Sequence, residues 1–291
     1  MNKILMWSVT AALAGFLFGF DVVVISGADK KLQALWQSSD AFHGTVVMGM
    51  ALWGTVIGAI FGGIPTNTFG RKKTLLAIGV LYALSAIGTA LSNDPYIFAF
   101  FRFMGGLGVG ASTIAAPAYI SEIAPAKDRG RLVSLYQFNI VLGILVAFLS
   151  NYLLSGIGDN DWRWMLGVQA IPASIYTLCV LIIPESPRWL VSKGRINEAK
   201  NIVKIVNPDQ DSDLLISQME DDHAVAPKEN IFMKKYRFPL MLAFLVAFFN
   251  QMSGINAFLY YAPRIFGEAG LGEKTALLSS IGIGIVNMVF T

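Results

Sequence analysis

Runs of apolar residues, each about as long as a bilayer is thick, alternate with short polar segments along the whole chain. A helix needs about 20 mostly apolar residues to cross the hydrocarbon core. On that template the pattern predicts spans at roughly 5–26, 44–64, 74–92, 96–118, 131–154, 164–184 and 238–261. An eighth begins near 275 and is still apolar at Thr291. The first run follows Lys3 as a secretory leader would, but it outruns a usual leader core and more spans follow, so it reads as a retained helix. A helix stopping in mid-membrane is an unexpected natural end, and the chain reads as a fragment.

The longest polar segment, 185–237, is patterned. Ser186 can cap a helix with Pro187 at its first position. Trp189, Leu190, Ile196, Ala199, Ile202, Val203 and Val206 then form a broken helical stripe that Asn207-Pro208 ends, and a second amphipathic piece follows at about 212–222. Helices of this kind lie along a membrane face. Residues 223–230 are polar and expected to be mobile.

Basic residues set the orientation. Segments 65–73, 119–131 and 185–237 hold fifteen Lys and Arg residues, whereas the alternate loops hold five: Lys30, Lys31, Arg163, Arg264 and Lys274. The positive-inside rule places the N-terminus and 185–237 in the cytoplasm of a multi-pass inner-membrane protein. The expected organisation is a six-helix bundle over 1–184, a cytoplasmic connector over 185–237 and the start of a second bundle over 238–291.

Composition agrees: of 291 residues 55% are hydrophobic and 14% charged, with a mean hydropathy of +0.58. The net charge of +3 belongs to topology rather than to nucleic-acid binding. The single Cys179 sits in an apolar run and gives no disulfide framework or metal cluster; His43 and His223 lie in polar segments too far apart to suggest a shared site. No nucleophile–base pair stands at membrane depth, so an enzyme is not expected.

Asp21 lies inside the first apolar run, in "FLFGFDVVVISGA". An ionised carboxylate away from water is costly unless paired. Its one plausible partner at that depth is Arg102 in the fourth span. Burial favours a protonated carboxyl and a nearby guanidinium favours the carboxylate, so helix movement that changes their separation would load and unload a proton. The alternative is an ion pair that only locks two helices. In the fourth span, "RFMGGLGVGAST" has Gly106 and Gly110 four apart, a close-packing pattern; with no strand before it, it is not a nucleotide fingerprint. Gln137 stands at depth in the fifth span, and the seventh contains "FFNQMSGINAFLYYAP". On a regular helix Ser253, Asn256 and Tyr260 share a face with Asn250 near its edge, while Gln251 points about a third of a turn away. Gly254 could loosen the helix. Amides supply both donors and acceptors, which suits a neutral ligand rich in hydroxyls, and Phe18 could offer an aromatic face to a sugar ring.

The stretches "LFGFDVVVISGA", "GRKK", "RFMGGLGVG", "YISEIAPAKDRGRL", "DWRWMLG", "PESPRWL" and "NQMSGINAFLYYAP" occur in family order along essentially the whole chain. By them the chain resembles the sugar porter branch of the major facilitator superfamily, and within it the bacterial sugar–proton symporters. The resemblance implies an all-α major facilitator fold of two six-helix bundles, alternating access around a central site, a monosaccharide (pentose or hexose) as substrate, and a proton as coupling ion with no other cofactor. It implies Asp21 as the proton site with Arg102 as partner; facilitative members tend to be neutral at the aspartate position. It places Phe18, Gln137, Gln251, Asn256 and Tyr260 on sugar contacts, with Asn250 where the first of a glutamine pair usually stands. Arg71, Glu122, Arg129, Glu185 and Arg188 fall on a cytoplasmic charge network that steadies the outward-facing state. Departures from the family pattern are Asn67 and Thr68 before "FGRK", and Ile144 where some symporters have a second Gln. A uniporter of the same family and a sugar receptor remain alternatives, and the helices of the second bundle absent here would carry part of the site.

Overall fold

With no water in the bilayer core, a segment must close its own backbone hydrogen bonds, which a helix does. The computed structural model describes residues 2–208, 210–225 and 233–291, and among them helices form and no strand does. Among the described residues, eight helical segments are long and apolar enough to cross a membrane: Lys3–Gly27, Asp40–Thr68, Arg71–Leu91, Pro95–Ile123, Arg129–Leu154, Asp161–Ile182, Lys234–Glu268 and Glu273–Phe290. We number these spans one to eight in chain order. All the expected spans are present. The fourth continues through Pro117 to Ile123 instead of ending near 118. Proline is tolerated there because neighbouring groups at membrane depth can re-satisfy the freed carbonyl.

Small residues bring the spans together. A Cβ on Gly106 would stand 2.1 Å from the Ala51 carbonyl oxygen, and one on Gly110 2.2 Å from that of Thr55, so spans two and four touch backbone to backbone. Spans one and five do the same, where a Cβ on Gly143 would lie 2.1 Å from the Phe16 carbonyl oxygen.

Ser186 caps the helix Pro187–Ser192 by accepting the Trp189 N–H at 3.3 Å. Ile196–Val206 follows and ends at Asn207. Trp189, Leu190, Ala199, Val203 and Val206 are buried in one cluster with Tyr119, Ile120 and Ile123 of span four, so the connector packs on the bundle. The next helix is Ser212–Val225, longer than the piece expected at 212–222. Of the polar segment 223–230, residues 226–230 lie outside the described residues.

Span seven is two helices, Arg237–Met252 and Ile255–Glu268. Between them Gly254 takes a left-handed φ of 76°, which a side chain disfavours. The second helix contributes Leu259, Tyr260 and Ala262 to a core cluster with Phe20, Val24, Ile144 and Phe148 of spans one and five.

Candidate functional site

Spans one and four cross at the acid–base pair expected from sequence. The Arg102 Nη1 donates to Asp21 Oδ1 at 3.0 Å and Nη2 to the Asp21 carbonyl oxygen at 3.2 Å. Both side chains are sealed, each residue at 1% exposure. The pairing is incomplete: Asp21 Oδ2 and Arg102 Nε are buried without a hydrogen-bond partner. A bare glycine makes room beside it, since a Cβ on Gly105 would lie 3.6 Å from Asp21 Oδ1 and closer still to Ser85 Oγ. Tyr260, buried on span seven, sits beside both Arg102 and Asp21. A residue expected to touch substrate therefore also touches the ion pair.

Asn256 Nδ2 donates to Gln251 Oε1 at 2.6 Å. A regular helix would have pointed Gln251 away from the Asn256 face; the break at Ser253–Gly254 resets the helical phase and brings the two amides together. At the break the exposed Ser253 hydroxyl donates to the Asn250 carbonyl oxygen. Phe18 is partly buried against the main core, whereas Gln137 and Asn250 are exposed. The structure joins Gln251 to Asn256 and sets Tyr260 beside Asp21 and Arg102.

At the end expected to be cytoplasmic, Arg71 forks onto Glu122 with Nε–Oε2 and Nη2–Oε1 both at 2.9 Å. Glu185 Oε1 accepts the backbone N–H groups of Arg71, Lys72 and Ser186 at 2.9, 3.1 and 2.9 Å. A carboxylate at the start of span three is favoured by the helix dipole as well as by these donors. Arg129 and Arg188 are exposed and line, with Glu122, a neighbouring cavity of about 190 Å³. Arg71, Glu122 and Glu185 of the expected network thus meet directly, with Arg129 and Arg188 at the adjoining cavity.

The opposite end holds a cluster that the sequence did not reveal. His43, expected in a polar segment, is buried at 2% exposure, with Nε2 2.7 Å from Asp29 Oδ1. Arg264 of span seven lies with Nε 2.6 Å from Asp29 Oδ2 and also donates to Gln33 Oε1. Lys30 pairs with Glu268 at 3.0 Å, and Lys31 with Asp161 at 2.6 Å and Glu273 at 2.8 Å. Burial works against the Lys31 charge, but the hydrogen bonds and charges of Asp161 and Glu273 prevail and hold its amine above the ordinary value. The one available signal was the small set of basic residues on this side.

The family model described as "Sugar (and other) transporter" matches residues 7–291. The chain is 38% identical over 286 residues to the D-xylose transporter of Levilactobacillus brevis, covering 96% of this chain and 62% of that one. It is 35% identical over 300 residues to the arabinose-proton symporter of Bacillus subtilis (strain 168), covering 100% of this chain and 64% of that one. Among solved structures it is similar to the proton:xylose symporter XylE of E. coli bound to 6-bromo-6-deoxy-D-glucose, with a TM-score of 0.87 and 31% identity over 99% of this chain and 68% of that one. The chain spans less than two thirds of the length of these curated relatives. The helical architecture is that of the major facilitator structures it matches, and the chain is a multi-pass membrane protein that belongs to the sugar (and other) transporter family.

Proposed function

We propose that this chain is the greater part of a secondary active transporter that couples proton entry to uptake of a monosaccharide, a pentose or a hexose, by alternating access. The observation that carries the reading is the buried Asp21–Arg102 pair with one carboxylate oxygen unpartnered and Tyr260 of span seven beside it. A static ion pair does best with every lone pair satisfied, and an apolar replacement often serves stability as well. A titratable carboxyl needs a free position for its proton. Asp21 is the proton site, and Arg102 holds it as carboxylate when empty. The paired amides Gln251 and Asn256, with Gln137, Asn250, Tyr260 and Phe18, contact the sugar.

Residues 1–184 form the first bundle, 185–237 the cytoplasmic connector and 238–291 the start of the second bundle, with the remaining length of a complete transporter supplying further helices and their share of the sugar contacts. The N-terminus and the connector face the cytoplasm of the inner membrane, as their basic residues favour. Arg71, Glu122, Arg129, Glu185 and Arg188 act as the cytoplasmic gate. The relatives named for proton symport of arabinose and xylose support this reading.

The complete transporter in sealed liposomes, given an inward proton gradient and labelled xylose, arabinose, glucose or galactose in turn, tests it. Accumulation that collapses with a protonophore is the expected outcome. Equilibration without accumulation overturns the coupling and leaves a uniporter.

A further inference from the structure

The end of the bundle away from the connector carries a buried carboxylate that the proposed cycle does not use. Asp29, at 1% exposure, opens the helix Asp29–Trp36 just after span one. A buried carboxylate requires compensation, and here it comes from two different parts of the chain. His43, at the start of span two, holds Oδ1 at 2.7 Å through Nε2, while its Nδ1 lies 3.3 Å from the Ser38 hydroxyl. Arg264 approaches from span seven, with Nε 2.6 Å from Oδ2, Nη2 3.2 Å from Oδ1, and 27% of its side chain exposed. The His43 contact lies within the first bundle and would persist when the bundles rock apart. The Arg264 contact joins the two halves and would break on outward opening.

Resting on the alternating-access reading above, the geometry points to a second proton site, at the outer face, where a proton on His43 and the Arg264 guanidinium compete for Asp29, so that external acid releases span seven and opens the carrier outward. With Arg264 seated, the carboxylate has its counter-charge, and a protonated His43 would crowd a second cation onto it. With Arg264 withdrawn, a neutral imidazole leaves the buried charge uncompensated and a proton on His43 restores the balance. The Ser38 hydroxyl can accept the N–H that appears on Nδ1. Other titratable and charged groups surround this pair. Tyr261 and Arg264 come from span seven, Asp40 from the turn before His43, and Tyr96 from span four, whose ring packs on Phe42. Lys30 and Lys31 follow Asp29 in the chain, and Lys31 is held above the ordinary amine value, so it stays charged throughout the range in which histidine titrates.

The site is tested on the complete transporter in liposomes, with Cys179→Ala as background and Ser26→Cys as reporter. Ser26 is buried at 3% exposure and lines a cavity of about 290 Å³ with Asp29 and Arg264. Labelling by a membrane-impermeant maleimide from outside is measured at about pH 7.5 and about pH 5.5, bracketing histidine titration. It is normalised to Gly158→Cys, an open loop position, to remove the intrinsic pH dependence of the thiol. The normalised rate should rise about fivefold or more on acidification, as a coupling of this kind gives. His43→Gln should abolish the rise, and Arg264→Gln should label fast at both values. A pH-independent rate in the parent, or a rise that survives His43→Gln, overturns the proposal. Labelling needs neither sugar nor a gradient, so loss of sugar–proton coupling appears in uptake and failure of the outer site appears here.

Discussion

Replacing Asp21 by Asn removes the proposed proton site while changing almost nothing else. The amide oxygen can still accept from Arg102 Nη1, and Nη2 keeps its bond to the backbone carbonyl of residue 21 at 3.2 Å. What is lost is the negative charge against a guanidinium at 1% exposure. Deleting one member of a buried pair costs about 3–5 kcal/mol. Retention of both acceptors puts Asp21→Asn near the lower end, about 3 kcal/mol. The proton-loaded wild type carries the same uncompensated arginine, so the variant resembles a state the protein visits in each cycle and should fold.

The functional magnitude follows from the single carboxylate. One proton moved through a membrane potential of about 100 mV brings about 2.3 kcal/mol, which sustains roughly a fifty-fold sugar gradient. In proteoliposomes of the complete transporter with an imposed potassium diffusion potential, the wild type should approach that accumulation. Asp21→Asn should stop at equal concentrations on the two sides yet still exchange labelled for unlabelled sugar. Accumulation by the variant would refute the assignment of the proton to Asp21. Loss of exchange together with accumulation would assign the carboxylate to folding or sugar binding instead of coupling.

Gln251→Ala and Asn256→Ala should each weaken sugar binding by about 1–3 kcal/mol, and the double variant by less than the sum, because the two amides are joined at 2.6 Å; strictly additive losses in equilibrium binding would refute their acting as a pair. Gly106→Ala drives a Cβ to 2.1 Å from the Ala51 carbonyl oxygen and should destabilise by about 1–3 kcal/mol, read as a lower thermal-unfolding midpoint; an unchanged midpoint would exclude the close approach of spans two and four. Gly254→Ala opposes the left-handed break by about 1–2 kcal/mol and should lower sugar affinity and turnover through Gln251, whereas wild-type values for both would show that the break is not needed.

Much of the fold was open to reading because the bilayer imposes it: apolar runs of spanning length, a capped amphipathic connector and glycines at four-residue spacing each have a local cause. Asp21 and Arg102 were matched across 81 positions because charges at membrane depth are few and must find each other. Other features had no local signature. Asp29 sits in "GADKKLQ" and His43 in "SSDAFHG", segments whose composition suits a solvated loop, and Arg264 lies 235 positions from Asp29. Only tertiary packing buries the first two and delivers the third. The meeting of Gln251 with Asn256 was hidden for another reason. Its prediction assumed a constant helical phase, and the Gly254 break that sequence suggested also changes the angle at which every later side chain emerges.

The break also bears on how two distant carboxylates could respond together. Tyr260 and Arg264 are four residues apart in the helix Ile255–Glu268, so they share a face. The first lies beside Asp21 and Arg102, and the second pairs with Asp29. Gly254 stands at the near end of that helix in a conformation suited to a pivot. On the proposed reading, one rigid tilt of the helix would withdraw Tyr260 from the central pair and Arg264 from the outer one. Neither carboxylate would then need a separate signal. Occupancy of the central site and the proton on His43 would bias the same movement from its two ends, and by linkage each would alter the other's affinity by an equal factor.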